Sequence, residues 1–270
     1  MNRKYASVLL IAALALMSLA GLGCQKLKAR DELNKGVRAF RNGAYPAAVE
    51  HFKTAIALDP SYPVARAYLA TSYMMQYIPG AESEENLRMA QAAHEEFLKV
   101  LEADPKNVNA MLAIAQLYFN QKKLDEAEQW YKKALEVNPN DKTAYYTLGV
   151  IAWTKTFQPR MKARADLGMR PEDPGPLRDK KVREQLRKTN LPVIEAGMAA
   201  LEKALALDKE YDDAMAYMNL LYRERADLQD TVEEYKKDIE MADKWVDRTL
   251  ETKKLKASRM PTAGGIVSGQ

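Results

Sequence analysis

The sequence predicts an all-α chain of antiparallel helix hairpins stacked side by side, and three observations carry that expectation. First, β-branched residues never alternate over a run, which removes the strand signal. Second, Val108–Asp141 holds two apolar stripes at three-and-four spacing: Met111, Leu112, Ala115 and Tyr118, then Leu124, Ala127, Tyr131 and Leu135. Asn120–Lys123 between them is polar and only long enough to turn, so the two helices are antiparallel neighbours closed by Asn138–Pro139. Third, helices this short cannot bury their faces alone, so the unit requires copies of itself on either side.

The residues of this stretch resemble the tetratricopeptide repeat (TPR). That family's small and aromatic positions fall on Ala115, Tyr118, Ala127, Tyr131, Ala134 and Pro139. The resemblance implies a right-handed α-solenoid of TPR helix hairpins, interrupted here by helical and loop insertions. It also implies a concave wall lined by the first helix of each repeat.

The chain before the repeats reads as an export signal. Met1–Gly23 has a basic start at Arg3 and Lys4, an apolar core over Val8–Ala20 and small residues after it. Cys24 follows and is the single cysteine of the chain, which leaves no internal disulfide to form. Its place resembles the lipid-modified cysteine of bacterial lipoproteins, although Gly21 stands where that family prefers an aliphatic residue. Residues 24–28 are then a lipidated linker. Gln25 is not the aspartate that often retains such proteins at the inner membrane, so the outer membrane is the expected location. The alternatives are ordinary cleavage near Ala20, which leaves a free thiol, or an uncleaved anchor.

Repeat one covers about 29–62, with Gly36, Gly43, Tyr45, Ala48, Phe52, Ala55 and Pro60 on TPR positions. Lys35 and Ala39 depart from the pattern, as suits a first repeat with no preceding neighbour. Repeat two, about 63–106, carries Leu69, Ala70 and Tyr73, then Ala93, Phe97, Val100 and Pro105; Ile78–Asn86 between them breaks the helix and caps the next. Repeat three is 108–141. Repeat four, about 142–210, begins with Tyr145, Leu148, Gly149 and Ala152, and its partner helix is expected only at Pro192–Asp208. The intervening Thr154–Leu191 reads as an insertion with a proline-bent loop between two short helices. Repeat five, 211–256, is the weakest match, and 257–270 is expected to be a disordered tail.

Transferring the family's groove positions gives a row of candidate partner-binding residues: Phe40, Met74, Gln116, Phe119, Tyr146, Trp153, Asn219 and Tyr222. At its third place each repeat puts an aromatic residue or a methionine, which suits an apolar or extended peptide, with Thr71, Gln116 and Asn219 reaching its backbone. The other reading, in which the chain's own insertion or last helix covers this stripe, stays open. The lysine–asparagine clamp of chaperone-tail-binding TPR domains is absent, because Leu33, Val37, Ala67 and Thr71 occupy its places.

Thr154–Leu191 is a basic island, with Arg160, Arg164, Arg170, Lys180, Lys181 and Arg183 as its candidate contacts. It could meet anionic lipid headgroups or an acidic protein, or fold back on the stack as a solvated loop. Nucleic acid is disfavoured because aromatics are not interleaved with the basic residues. Only His51 and His94 offer imidazoles, each beside a glutamate on a polar face, and no phosphate-cradling loop exists. No catalytic residue, metal site or cofactor is therefore expected. The sequence as a whole predicts a non-enzymatic, membrane-tethered scaffold facing the periplasm, which docks a protein or peptide of the cell envelope. Lipoproteins that assist outer-membrane protein or secretin assembly are its analogues at fold level. The alternative is a glycan- or peptidoglycan-binding module, with groove aromatics stacking on sugar rings.

Overall fold

The computed structural model describes residues 25–259. Met1–Gly23, Cys24 and residues 260–270 lie outside the described residues, and the expected signal and lipidation site with them. All regular secondary structure among the described residues is helical: α1 (25–41), α2 (Tyr45–Leu58), α3 (Pro63–Met74), α4 (Glu84–Ala103), α5 (Val108–Asn120), α6 (Leu124–Val137), α7 (Lys142–Asp166), α8 (Lys180–Leu207), α9 (Asp212–Ala226) and α10 (Val232–Arg259). The first helix starts ahead of the expected Ala29 and takes in most of the expected linker. The last continues past the expected end of repeat five, through Ala257, Ser258 and Arg259.

Short polar side chains set the helix starts. Asn107 accepts from the Ala110 amide (3.0 Å), Asp141 from Ala144 (2.9 Å) and Asp179 from Val182 (2.9 Å). At α10 a reciprocal capping box forms, with Thr231 Oγ1 accepting from the Glu234 amide and Glu234 Oε2 from the Thr231 amide, each at 3.1 Å. α2 and α3 carry proline in their first turn, Pro46 at the second position and Pro63 at the first, where the missing amide costs nothing.

The repeat period is visible at the other end of the hairpins. The side chains of Asp59, Asp104, Asn138 and Asp208 each accept from the amide two residues on, at 3.0–3.3 Å. The same Asx turn thus closes the second helix of each of repeats one to four, and Asp-Pro or Asn-Pro marks the first three of these turns in the sequence.

The chain divides between Trp130 and Tyr131 into two compact units. In the first, Phe52 is the centre of a core with Leu33, Val49, Ala55 and Leu69, and Phe97, Ile114 and Leu117 centre a second with Ala70, Ala93 and Ala110. In the second, Ile194, Leu201, Met215, Met218 and Leu221 pack together with Leu177 and Leu228. There α7 and α8 approach closely because both carry glycine at the crossing. A Cβ on Gly197 would stand 2.4 Å from that of Ala152, and one on Gly149 would stand 2.4 Å from Leu201.

The segment 154–191 differs from its expected form. It holds no separate short helices: α7 runs on through Pro159 to Asp166, and α8 already begins at Lys180 and runs through Pro192. Only Leu167–Asp179 is loop. A proline inside a helix removes a backbone hydrogen bond, and packing between α7 and α8 along their length outweighs that loss at both positions. The buried Asn190 Nδ2 donates to the Thr156 carbonyl at 3.3 Å and ties the two helices together beside Pro159.

Candidate partner-binding site

Within the first unit, the first helices of repeats two and three border an apolar groove of about 330 Å³. Val64, Ala67, Tyr68, Thr71 and Met74 of α3 form one wall, Ala110 and Ala113 of α5 the other, and Phe97 and Val100 of α4 line it as well. The small side chains at 67, 110 and 113 leave the space. Asn107 and Asn109 supply polar edges, and no charged side chain lines the groove. Val64 remains 48% exposed at its mouth, an aliphatic side chain held in water. Tyr68 is fixed by stacking on Phe52 (5.4 Å) and by the edge of Phe40 (5.7 Å), so its ring cannot swing in to fill the groove. The Thr71 hydroxyl donates to the Ala67 carbonyl at 2.8 Å and keeps its lone pairs for a further donor.

The candidate residues therefore separate. Met74 lines this groove, and Phe40 supports it through Tyr68. Gln116, one turn beyond Ala113, is not among the residues lining it and donates to Asn120 Oδ1 at 2.8 Å, and Phe119 borders another cleft at the α5–α6 turn. In the second unit Tyr146 and Trp153 both meet Tyr217 edge-on, at 5.6 and 5.8 Å, and Tyr146 also meets Tyr211. Burial among these rings pushes the Tyr146 phenol up to about 12. Asn219 is engaged by Arg223 at 2.8 Å, and Arg225 lies over the Tyr222 ring at 4.8 Å. The sequence reading missed Tyr68, Val64, Asn109 and Ala113. The signal was present for Val64, Tyr68 and Thr71, which follow one another at helical spacing on the face that carries Met74.

The basic island is largely spent inside the second unit. Arg160 lies 2.9 Å from both Glu224 and Asp227, and Arg164 lies 2.7 Å from Asp227 with its side chain 3% exposed. Arg183 donates to the Leu177 carbonyl at 2.7 Å, and Arg170 pairs with Asp173 at 3.0 Å. Of the six candidates, Arg170 stays exposed on the loop, and Lys180 and Lys181 on the first turn of α8. Arg160, Arg164 and Arg183 are thus buried within the second unit and paired there, neither solvated nor presented to a headgroup.

His51 meets Glu32 at 2.7 Å, and His94 meets the Tyr118 hydroxyl at 3.0 Å, with burial holding its pKa below the usual imidazole value. No three His, Cys, Asp or Glu side chains group around a common point among the described residues. No described helix is long and apolar enough to cross a membrane.

The geometry defines a class: helix hairpins whose first helices present an apolar groove. Residues 87–149 match the model of the tetratricopeptide repeat, and the described helices have the hairpin fold of TPR solenoids. Over 123 residues it is 34% identical to mouse sperm-associated antigen 1, a match that spans 46% of this chain and 12% of that protein's length. Among solved structures it is similar to MamA, with a TM-score of 0.57 and 16% identity over 88% of this chain and 98% of that one. It is also similar to YrrB, described as a TPR protein with an unusual peptide-binding site, with a TM-score of 0.52 and 14% identity over 85% of this chain and 91% of that one. At these identities the two structures speak for the fold alone.

Proposed function

We propose that this chain is a non-enzymatic docking protein that binds an uncharged, largely apolar segment of a partner in the groove between α3 and α5. The TPR fold is typically an interaction scaffold, and TPR proteins bind protein or peptide partners. The observation that carries the reading is the groove itself: about 330 Å³ of apolar wall kept open by three alanines and a locked tyrosine, where collapse would otherwise bury it. Burying ~100 Å² of apolar surface there stabilises a complex by about 2–3 kcal/mol before ordering costs, so one or two anchoring side chains suffice for a weak, reversible contact.

The setting we propose is the cell envelope, with the chain exported, facing the periplasm and held at the membrane through a lipid on Cys24. The support is the sequence pattern of Met1–Cys24. Tethering would raise the local concentration of a membrane partner without any new contact.

A photo-crosslinking residue at position 74 or 113 tests the groove in cells, with position 102 on α4 as an exposed control. Capture of the same partner from 74 and 113 and not from 102 supports the reading; equal capture from all three positions removes it. Incorporation of labelled fatty acid, lost in Cys24→Ser, tests the anchor separately.

A further inference from the structure

Three of the described helices end in the same left-handed turn. In the first repeat the Asn42, Gly43 and Ala44 amides donate to the carbonyls of Arg38, Phe40 and Ala39. In the third repeat Gln121, Lys122 and Lys123 donate to Leu117, Phe119 and Tyr118. At the end of α7, Leu167, Gly168 and Met169 donate to Ala163, Ala165 and Arg164. The middle residue of each triplet has positive φ: 74° at Gly43, 66° at Gly168 and 62° at Lys122. Glycine takes this conformation without penalty, whereas a side chain with a Cβ is strained there. Lys122 is the one non-glycine residue with positive φ among the described residues. Its backbone role is one glycine fills better, so local stability is conceded for its side chain.

That side chain stands at a cleft of about 540 Å³ between the α3–α4 loop and the α5–α6 turn. The cleft is lined by Tyr77, Pro79, Leu87 and Phe119 on its apolar side and by Lys122 and Lys123, with Glu82 as its one carboxylate. No carboxylate pairs with Lys122 or Lys123 among the described residues, and Lys123 Nζ lies over the Tyr118 ring at 5.7 Å. Opposite them the loop is rigidly held. The buried Asn86 side chain accepts from the Ile78 amide (2.7 Å) and donates to the Ile78 (2.8 Å) and Ala81 (2.7 Å) carbonyls. Leu87 at the cleft is 52% exposed, and Ile78 on the held loop is 65% exposed. A preformed wall, exposed aliphatic side chains and two cations against one carboxylate are brought to one place, outside the α3–α5 groove.

We propose that this cleft is a second docking site, and that it takes an acidic peptide segment of a partner protein carrying an aliphatic or aromatic anchor. The anchor contacts Leu87, Tyr77 and Phe119, and the flanking carboxylates pair with Lys122 and Lys123. Charge complementarity selects this occupant: two cations against one carboxylate repel a basic segment and leave a neutral one without partners for the lysines.

The test joins stability to affinity. The probe is a labelled peptide in which Glu and Asp flank a Leu-Phe pair, beside a counterpart with Lys in place of each acid. Wild-type protein should bind the acidic peptide and not the basic one, and more weakly as salt rises. Lys122→Gly should raise the melting temperature by about 2–4 °C, because it relieves the turn, while weakening the acidic peptide about threefold. Lys122→Gly with Lys123→Ser should weaken it about tenfold. Met74→Asp in the groove should leave this peptide's affinity unchanged, which separates failure here from failure of the groove reading. Equal binding of the two peptides, no binding of either, or unchanged affinity in the double variant overturns the proposal.

Discussion

Arg164 of α7 and Asp227, which ends α9, meet at 2.7 Å with side-chain exposures of 3% and 2%. The same guanidinium also donates to the carbonyls of Arg170 and Asp173, so one buried cation fixes both a helix end and the loop that follows α7. Asp227 in turn receives Arg160, and its own carbonyl accepts from the Leu177 amide at 3.0 Å. The contact joins residues sixty-three positions apart, and it explains why a run rich in arginine lies inside the second unit.

Removing one partner of this pair leaves the other charge buried and uncompensated. Asp227→Asn is therefore expected to destabilise the second unit by about 3–5 kcal/mol. Urea unfolding of the full chain, followed by the fluorescence of Trp153 and Trp245, reads the loss. A change within ~0.5 kcal/mol would mean that the pair is not structural.

Glu224 sits beside this pair, 1% exposed, facing Arg160 and Asp227. Burial pushes its carboxyl up to about 7 although Arg160 pulls the other way, against an ordinary value of 4.5. The folded chain thus keeps a proton that the unfolded chain has lost, and this group's contribution to stability falls as pH rises from 4.5 to 7 and is flat above. Its size is on the order of 3 kcal/mol. Glu224→Gln should remove that slope, so the difference in stability between variant and wild type should grow in the variant's favour from pH 5 to 7. A constant difference over that range would contradict the assignment.

The glycine crossing of α7 and α8 has no room for a methyl group. Gly197→Ala places a Cβ 2.4 Å from that of Ala152. The expected cost is about 1–3 kcal/mol from forced displacement, despite alanine's better helix propensity. Thermal unfolding by circular dichroism decides the sign; a gain in stability would show that the helices can part freely.

Asn86 makes three hydrogen bonds to the loop between α3 and α4 and is 7% exposed. Asn86→Ala leaves the Ile78 amide and two carbonyls without that partner, at an expected cost of about 2 kcal/mol. Amide exchange at Ile78 should rise more than exchange in the core of α5, such as at Ile114. Equal acceleration at both would place the effect in global unfolding.

The hairpins were legible in the sequence because their cause is local. Apolar spacing, Asx-Pro turns and capping residues act over a few positions, so Val108–Asp141 could be read residue by residue. The second unit was harder for the same reason. Pro159 and Pro192 carry a local signal for a break, and what overrides it is packing between α7 and α8, which no short window contains. Arg160, Arg164 and Arg183 read as surface charge because their partners, Glu224, Asp227 and the Leu177 carbonyl, come from distant or loop positions. The groove was half legible. Met74 and Phe40 came from the repeat register, while Tyr68 and Ala113 gained meaning only when α3 and α5 were placed side by side.

Docking in the α3–α5 groove is tested most directly by calorimetric titration of the segment captured from positions 74 and 113 into wild-type protein and Ala113→Asp. A carboxylate there puts a charge into an apolar wall that has none. Affinity should fall at least about tenfold while the melting temperature stays within about 2 °C. Unchanged affinity in Ala113→Asp would contradict the assignment of the groove.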